Sequence, residues 1–223
     1  ENRFPSLRAP DGEWERPDGH WGATAPAAGR CEVVCFSDDH NGGFKLLSPA
    51  DARLVIEAWA DRTAAMQALP YIRQVFPFEN RGEEIGVTLH HPHGQIYGYS
   101  YLQPRIEKLL ELARAHRQRT GRQLIADVVA SELADGQRTV FTTEHWVGFV
   151  PIAARWPYEV QVHPRQPVRD FTELSDAQRD DLAILLPRLF RALDGLFDLP
   201  MPYVAAWFQA PCNGPADERE ELS

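Results

Sequence analysis

Apolar residues recur at helical spacing in three long stretches of the chain, with shorter apolar segments between them. The first stretch begins at Ser48-Pro49-Ala50-Asp51 and carries Val55, Trp59 and Met66 along one face. A serine at the N-cap and a proline in the first turn are typical of a helix start. The pattern therefore predicts a helix that begins after Ser48 and ends before Pro70.

Two further stretches predict the remaining long helices. Residues 105–134 have helical spacing that Gly121 interrupts, which predicts two helices. Ser175-Asp176-Ala177-Gln178 matches a capping box and opens a leucine-rich helix, which we expect Pro187 to kink. Together with the shorter apolar segments, these helices predict an α+β fold with antiparallel sheets and helices packed outside. The predicted strands cover residues 31–36, 72–78, 85–89, 139–141, 146–152, 158–162 and 203–208.

A weak internal repeat suggests that the fold is duplicated. The order strand, phenylalanine, serine-capped helix, Pro-Tyr and strand occurs twice along the chain. Such a recurrence predicts two related halves, over residues 1–135 and 136–223, the second of them incomplete. Chance similarity of two strand–helix–strand units is the alternative interpretation. The matching positions are Phe44 and Phe171, Ser48 and Ser175, and Pro70-Tyr71 and Pro202-Tyr203.

Composition narrows the class of protein. The chain has 223 residues, of which 43% are hydrophobic, so it can bury a substantial core. Its net charge of -9 argues against a broad basic surface for nucleic acid, and no apolar run reaches membrane-spanning length. The three cysteines make no disulfide framework, which favours a cytoplasmic setting. We expect both ends, Glu1 and the acidic C-terminal run, to be cuts within a longer polypeptide or edges of an ordered region.

The segment His91-Pro92-His93-Gly94-Gln95 carries the strongest candidate chemistry. In a strand, alternate residues point to one face, so His91, His93 and Gln95 would project together. An imidazole is available as a nucleophile near neutral pH and can attack a phosphoryl group, while an amide N–H can donate to a phosphate oxygen. Because glutamine cannot protonate a leaving group, Gln95 favours group transfer over hydrolysis. A buried structural histidine is the alternative for His93.

Several blocks of the chain together resemble the galactose-1-phosphate uridylyltransferase family of the histidine-triad superfamily. The central block is Phe78-Glu79-Asn80-Arg81-Gly82, followed by Gly86 and then His91 to Tyr97. The resemblance extends from Asn2 to about Pro211, and the joint occurrence of the blocks is far more specific than any one of them. The other blocks are Cys35-Phe36-Ser37 with Asp39-His40, Thr143-Glu144-His145-Trp146, and Trp156-Pro157-Tyr158-Glu159.

The resemblance implies a fold of two histidine-triad halves and a ping-pong exchange of the uridylyl group. UDP-glucose would uridylylate His93 and release glucose 1-phosphate, after which galactose 1-phosphate would take the group and give UDP-galactose. It also implies a homodimer whose sites are completed across subunits. By motif match, the remaining nucleotide-sugar contacts are Gln95 on the transferred phosphate, Asn80 and Thr88 on the phosphates, and Asn2 and Phe4 at the uridine.

The resemblance further implies that His40 and His91 are zinc ligands. Tetrahedral zinc needs four donors, and the Cys-x-x-Cys pair that supplies the other two in the family does not occur here. The chain would thus hold half of a zinc site, unless His40 is only a turn histidine. Two alternatives for function stay open: a relative that transfers an adenylyl group from an ADP-sugar, and a truncated chain that binds nucleotide without turnover.

Overall fold

The computed structural model describes residues 5–10, 12 and 24–223 of the chain. Within them there are seven strands and five helices, with three short 3-10 helices in the connections. The strands are β1 (Gly29–Cys35), β2 (Gln74–Arg81), β3 (His93–Tyr99), β4 (Thr139–Thr142), β5 (Trp146–Phe149), β6 (Gln161–Pro164) and β7 (Tyr203–Ala206). The helices are α1 (Pro49–Gln67), α2 (Pro104–Thr120), α3 (Leu124–Asp135), α4 (Asp176–Asp194) and α5 (Ala216–Glu221).

The larger sheet has the strand order β1-β3-β2-β7, and every pair in it is antiparallel. Helix α1 packs on one face of this sheet, which we call the inner face. Ile96 and Ile56 are fully buried there, and Trp59 stacks on Phe44 at 5.8 Å between ring centroids. Helix α4 packs against α1 and adds Leu182 to the same core cluster. The inner face is therefore the main core of the described residues.

The smaller sheet is a separate antiparallel meander of β4, β5 and β6. Its central strand β5 is buried along its whole length, from Trp146 to Phe149. Helix α3 packs on this strand through Val129, while Trp146 belongs to the main core cluster. The strand thus links the smaller sheet to the main core.

The predicted α+β class with antiparallel sheets and external helices is confirmed. Ser48 and Ser175 both act as N-caps, and the Ser175 capping box is complete. Two helices flank Gly121, which has a left-handed φ of 74°. Helix α4 continues through Pro187, which lies in its interior.

One predicted strand is wrong. Residues 85–89 form no strand: a 3-10 helix covers Glu83–Ile85, and an irregular loop runs on to Pro92. The loop has few neighbours, since Ile85, Thr88 and Leu89 are all exposed. Apolar residues alone predicted a strand here, but the two strands that flank the segment, β2 and β3, are already paired on both edges. The last strand is also shorter than predicted and ends at Ala206.

The order strand, 3-10 helix, helix, strand occurs twice in the structure. It runs from β1 to β2 through a 3-10 helix at Phe44–Leu46 and α1, and again from β6 to β7 through one at Phe171–Glu173 and α4. Strand β7 then joins the larger sheet beside β2, where Asn80 pairs with Val204. None of the described helices combines the length and the apolar character needed to cross a lipid bilayer.

Candidate active site

Strand β3 sorts the residues of the histidine segment onto two faces. Gly94, Ile96 and Gly98 are buried on the inner face, while His93 and Gln95 lie half-buried on the opposite, outer face. Gly94 allows a close approach, because a Cβ atom there would lie 2.7 Å from the Phe36 ring. The predicted common face therefore holds for His93 and Gln95. His91 lies in a bend before the strand and is not part of it.

The backbone just before the strand orients the imidazole of His93. Its Nδ1 atom lies 2.8 Å from the carbonyl oxygen of His91. A carbonyl oxygen can only accept, so Nδ1 carries the proton and Nε2 keeps its lone pair. The ring is thus held in the tautomer that a nucleophile needs.

His93 lines a cleft of about 170 Å³ at the end of the larger sheet. The loop before β3 and the end of β2 form most of its wall, and Asn80 and His91 lie in it with His93. Of the other predicted residues, Gln95 follows on the outer face of β3, and Thr88 is exposed in the adjoining loop. The structure thus brings three of the predicted residues together. The full lining is Gly42, Gly43, Glu79, Asn80, Arg81, Gly82, Glu83, Val87, Leu89, His90, His91, Pro92 and His93.

The two predicted zinc ligands are neighbours. The ring centroids of His40 and His91 are 5.5 Å apart. A zinc–nitrogen bond of about 2.0–2.1 Å places each ring centroid roughly 3 Å from the metal, so two tetrahedral ligands would lie roughly 5 Å apart. The spacing therefore fits a shared ion, although Nε2 of His91 also lies 2.9 Å from the Ser37 carbonyl oxygen. Within residues 5–10, 12 and 24–223, no group of three or more metal-ligating side chains completes the set.

A buried carboxyl group that the sequence analysis did not single out also lines the cleft. Glu79 is only 8% exposed, and its Oε1 accepts a hydrogen bond of 2.9 Å from the Tyr203 hydroxyl. Burial raises the pKa of Glu79 to about 7, although the bond from Tyr203 and the charge of Arg81 oppose the shift. The sequence carried no clear signal for this, because Val75 to Phe78 are all apolar. Only the structure shows that Glu79 continues the buried positions of Val75 and Pro77 along β2.

Positive charge reaches the same wall of the cleft through Arg81. Its guanidinium donates to Asp194 at 2.8 Å and lies over the Tyr203 ring, 5.6 Å from the centroid. Asp194 is largely buried and also pairs with Lys45. Burial opposes the ionised form of Asp194, but its bonds from Arg81 and Lys45 lower the pKa below the usual range. No spacing rule links residues 45, 81 and 194, so only the folded chain assembles this group.

The outer face of the larger sheet carries a row of half-buried aromatic rings. Phe76 stacks on Phe78 at 5.4 Å between centroids, and Tyr97 lies edge-on to Phe78 at 5.1 Å. The exposed ring of Phe208 continues the row at 5.2 Å from Phe76. Strands β2 and β3 thus present an apolar surface beside the cleft. The predicted uridine contacts Asn2 and Phe4 lie outside the described residues.

Comparison with known proteins identifies the family. A family model described as galactose-1-phosphate uridyl transferase, N-terminal domain, matches residues 1–103, and the model of the C-terminal domain matches residues 107–222. A galactose-1-phosphate uridylyltransferase of Streptomyces lividans is 45% identical over 214 residues, which cover 95% of this chain and 56% of the relative. This chain thus spans little more than half the length of that relative.

Solved structures give the same result for the fold. One described as a uridylyltransferase superposes with a TM-score of 0.88 at 31% identity and covers 95% of this chain and 67% of its own. An ADP-glucose phosphorylase from Arabidopsis thaliana with bound ADP-glucose superposes with a TM-score of 0.79 at 20% identity. The superposition covers 87% of this chain and 60% of the phosphorylase chain. At this identity the likeness is one of fold alone. Because the two family models together cover nearly the whole chain, the chain belongs to the galactose-1-phosphate uridyl transferase family.

Proposed function

We propose that this chain carries the nucleophile of a UDP-glucose–hexose-1-phosphate uridylyltransferase, with galactose 1-phosphate as the second substrate. Membership of the family supports the reaction class. The observation that carries the proposal is the 2.8 Å contact between His93 Nδ1 and the His91 carbonyl oxygen, which leaves Nε2 free to attack. The side chain lines a cleft, so a phosphate can reach it.

The proposed reaction has two displacements at the same phosphorus. In the first, the Nε2 lone pair of His93 forms a bond to the α-phosphorus of UDP-glucose, and the bond to the bridging oxygen breaks. Glucose 1-phosphate leaves with that electron pair. In the second, a phosphate oxygen of galactose 1-phosphate attacks the phosphoramidate and the nitrogen leaves. Each sugar phosphate is a stable anion as it leaves, so no protonation of the leaving group is required.

Three neighbouring side chains would orient the phosphates. The Gln95 amide follows His93 on the same face of β3, which suits a donor to the transferred phosphate. Asn80 lies in the cleft wall and suits a phosphate further along the nucleotide sugar. The hydroxyl of Thr88 is exposed in the loop beside the cleft, which suits a further contact to the phosphates.

Covalent labelling tests the nucleophile directly. UDP-glucose labelled in the uridylyl group should transfer label to the wild-type chain without an acceptor, and galactose 1-phosphate should then remove it. His93→Gly should abolish labelling, because it removes the imidazole that would form the bond to phosphorus. His116→Asn is the matched control, since His116 pairs with Asp127 on the surface and lies outside the cleft lining. Equal labelling of His93→Gly and wild type would refute the assignment.

The same assay separates the two alternatives. Labelling by ADP-glucose in place of UDP-glucose would indicate the adenylyl-transferring relative. Binding of UDP-glucose with neither labelling nor turnover would indicate a chain that holds nucleotide but needs a second polypeptide for the reaction.

We also propose that His40 and His91 bind half of a structural zinc site, with the remaining donors outside the described residues. The 5.5 Å separation of the rings supports this proposal. Metal analysis of a purified polypeptide that also supplies the two missing donors should find close to one zinc per chain, and His40→Ala with His91→Ala should lose it. Zinc would fix the bend at His91 and so hold the carbonyl that orients His93. No step of the reaction passes through the metal.

We further propose a cytoplasmic homodimer. The aromatic row on the outer face supports an apolar interface, and three free cysteines suit a reducing compartment. Light scattering with size-exclusion chromatography should give twice the monomer mass. A monomer at micromolar concentration would contradict the interface.

A further inference from the structure

Strand register shows which side chains flank Gln95, the predicted contact to the transferred phosphate. Residues directly opposite each other on paired antiparallel strands lie on the same face of the sheet. Val33 of β1 lies opposite Gln95 on one side, and Phe78 of β2 lies opposite it on the other. The three side chains, which we call the cross-strand trio, therefore lie next to one another on the outer face, with Gln95 in the middle.

The same face carries His93. This residue precedes Gln95 by two positions on β3, so their Cα atoms are roughly 6.8 Å apart. A phosphate bonded to Nε2 of His93 would thus lie within reach of a long side chain at position 95. The register of β2 and β3, continued by two residues, also places Asn80 opposite His93. The trio is therefore the line of side chains next to the one that holds the nucleophile.

The amide group of Gln95 has apolar neighbours and no polar partner among the described residues. Hydrogen bonds at this end of the sheet are made by the rings of His91 and His93, and within residues 5–10, 12 and 24–223 none involves the Gln95 amide. The side chain is nevertheless half-buried. Such an amide keeps both N–H groups for a ligand, and only packing can fix its direction.

Val33 approaches Gln95 closely. The N–H of Phe36 donates to the carbonyl oxygen of Pro92 at 3.0 Å, so the hydrogen-bonded pairs of β1 and β3 occur at the even-numbered residues of β1. Val33 and Gln95 consequently form a non-hydrogen-bonded pair, in which the Cα atoms are about 4.5 Å apart. A β-branched side chain also has few rotamers, so Val33 is a stiff neighbour.

Phe78 is the neighbour on the other side and is itself fixed. Its ring stacks on Phe76 at 5.4 Å between centroids and meets Tyr97 edge-on at 5.1 Å. Aromatic pairs in these two arrangements stabilise each other. The Gln95 side chain thus lies between two apolar side chains that have little freedom to move.

We propose that Val33 and Phe78 are positioning residues for Gln95, which hold its amide so that the N–H groups meet the transferred phosphate without first losing rotamer freedom. Ordering a rotamer-rich side chain during binding would otherwise oppose the contact. Apolar neighbours also strengthen a hydrogen bond by lowering the local dielectric constant. This role rests on the proposed function, because it assigns Gln95 to the phosphate that His93 accepts.

A double-mutant cycle on the single-turnover rate of covalent labelling tests this role. With saturating labelled UDP-glucose, Gln95→Ala should slow labelling by about 100-fold, the loss typical of one transition-state donor. Phe78→Ala should slow it by about 10-fold, because the amide regains its rotamers. In the Gln95→Ala background the same Phe78→Ala change should alter the rate by less than about 2-fold, since no amide is left to position.

Phe208→Ala is the matched control. It also removes one phenyl ring from the outer face, but Phe208 contacts Phe76 and is not part of the trio. Its effect on the labelling rate should be the same with and without Gln95, which also accounts for any contribution of the aromatic row to dimer formation. Phe78→Leu should restore most of the rate, because a branched apolar side chain still packs beside the amide.

Val33→Ala keeps the test decisive if Phe78→Ala fails to fold, which a circular-dichroism melt would report. Val33 is 39% exposed, so the smaller residue leaves little unfilled core. Val33→Ala should slow labelling by about 3-fold when Gln95 is present and should have no effect in the Gln95→Ala background.

Side-chain NMR relaxation tests the position of the amide without the reaction. The Nε2 protons of Gln95 can be assigned by their loss in Gln95→Ala. Their nitrogen–proton nuclear Overhauser effect in the free chain should report a rigid amide in the wild type and a mobile one in Phe78→Ala or Val33→Ala.

The outcomes distinguish the positioning role from the reaction. A mobile Gln95 amide in the wild type, a rigid amide in the variants, or an equal effect of Phe78→Ala with and without Gln95 would each overturn the role. An amide that is rigid in the wild type and mobile in the variants, together with no labelling of the wild type by UDP-glucose, would support the positioning of Gln95 and refute the proposed function.

Discussion

The Glu79 carboxyl group should make the stability of this chain depend on pH in an unusual direction. Its native-state pKa is raised from 4.5 to about 7 because the group is buried. The native state therefore holds a proton that the unfolded state releases between these pH values. The free energy of unfolding should fall as the pH rises through this window and should level off above pH 7. Most buried carboxylates with cationic partners show the opposite trend.

The magnitude follows from the two pKa values. One pKa unit corresponds to about 1.4 kcal/mol, so the difference between 4.5 and about 7 corresponds to about 3 kcal/mol. The side chain is only 8% exposed, so solvent screening reduces this figure little. Glu79→Gln has nearly the same shape and still accepts from Tyr203, but it has no charge to bury. An unfolded carboxyl with a pKa of 4.5 is already mostly ionised at pH 5, so the variant should exceed wild type by about 1 kcal/mol at pH 5 and by about 3 kcal/mol at pH 8.

Urea unfolding at pH 5 and pH 8, followed by circular dichroism, measures both free energies. The difference between the variant and wild type isolates Glu79, because all other titrating groups are common to the two proteins. Tyr203→Phe is a second comparison: the loss of a hydrogen bond that lowers the pKa of Glu79 should extend the decline to higher pH. A constant stability difference between Glu79→Gln and wild type at the two pH values would refute the reasoning.

Three further changes test the fold around the site. Arg219→Met should cost about 3 kcal/mol in urea unfolding at pH 7, because it removes a 2.6 Å ion pair from Asp170, whose side chain is fully buried; a cost below 1 kcal/mol would contradict this. Gly94→Ala should cost about 1–3 kcal/mol and reduce labelling of the adjacent histidine, because the new Cβ would lie 2.7 Å from the Phe36 ring; unchanged labelling and melting temperature would show that the strand adapts. Ser175→Ala should cost about 1 kcal/mol through loss of its capping box, and Ser175→Thr should recover most of it; equal stability of the two variants would contradict the role of the cap.

The sequence alone determined the local features whose causes lie within a few residues. The caps at Ser48 and Ser175 satisfy backbone N–H groups three residues away, so the helix starts follow from short spacings. The break at Gly121 follows from its left-handed conformation, which other residues rarely adopt. The common face of His93 and Gln95 follows from the two-residue period of a strand.

Residues 85–89 show where the local sequence pattern was insufficient to predict the structure. Apolar residues can lie in a strand or in an exposed loop. A strand forms only where a neighbouring strand supplies hydrogen bonds, and the local sequence does not record this. Here the edges of β2 and β3 are already paired with each other and with β7 and β1. The segment therefore follows the rim of the cleft, with Thr88 and Leu89 exposed.

The tertiary structure alone decided which charges meet at the end of β2. Glu79, Arg81 and Tyr203 come together because β7 pairs with β2, a contact between positions more than 120 residues apart. Asp194 joins them because α4 packs against α1 and ends beside β2. The motif around His93 is visible in the sequence because its chemistry needs short spacings. The charge balance of the cleft is not visible in the sequence, because it depends on burial and on long-range contacts that no local pattern records.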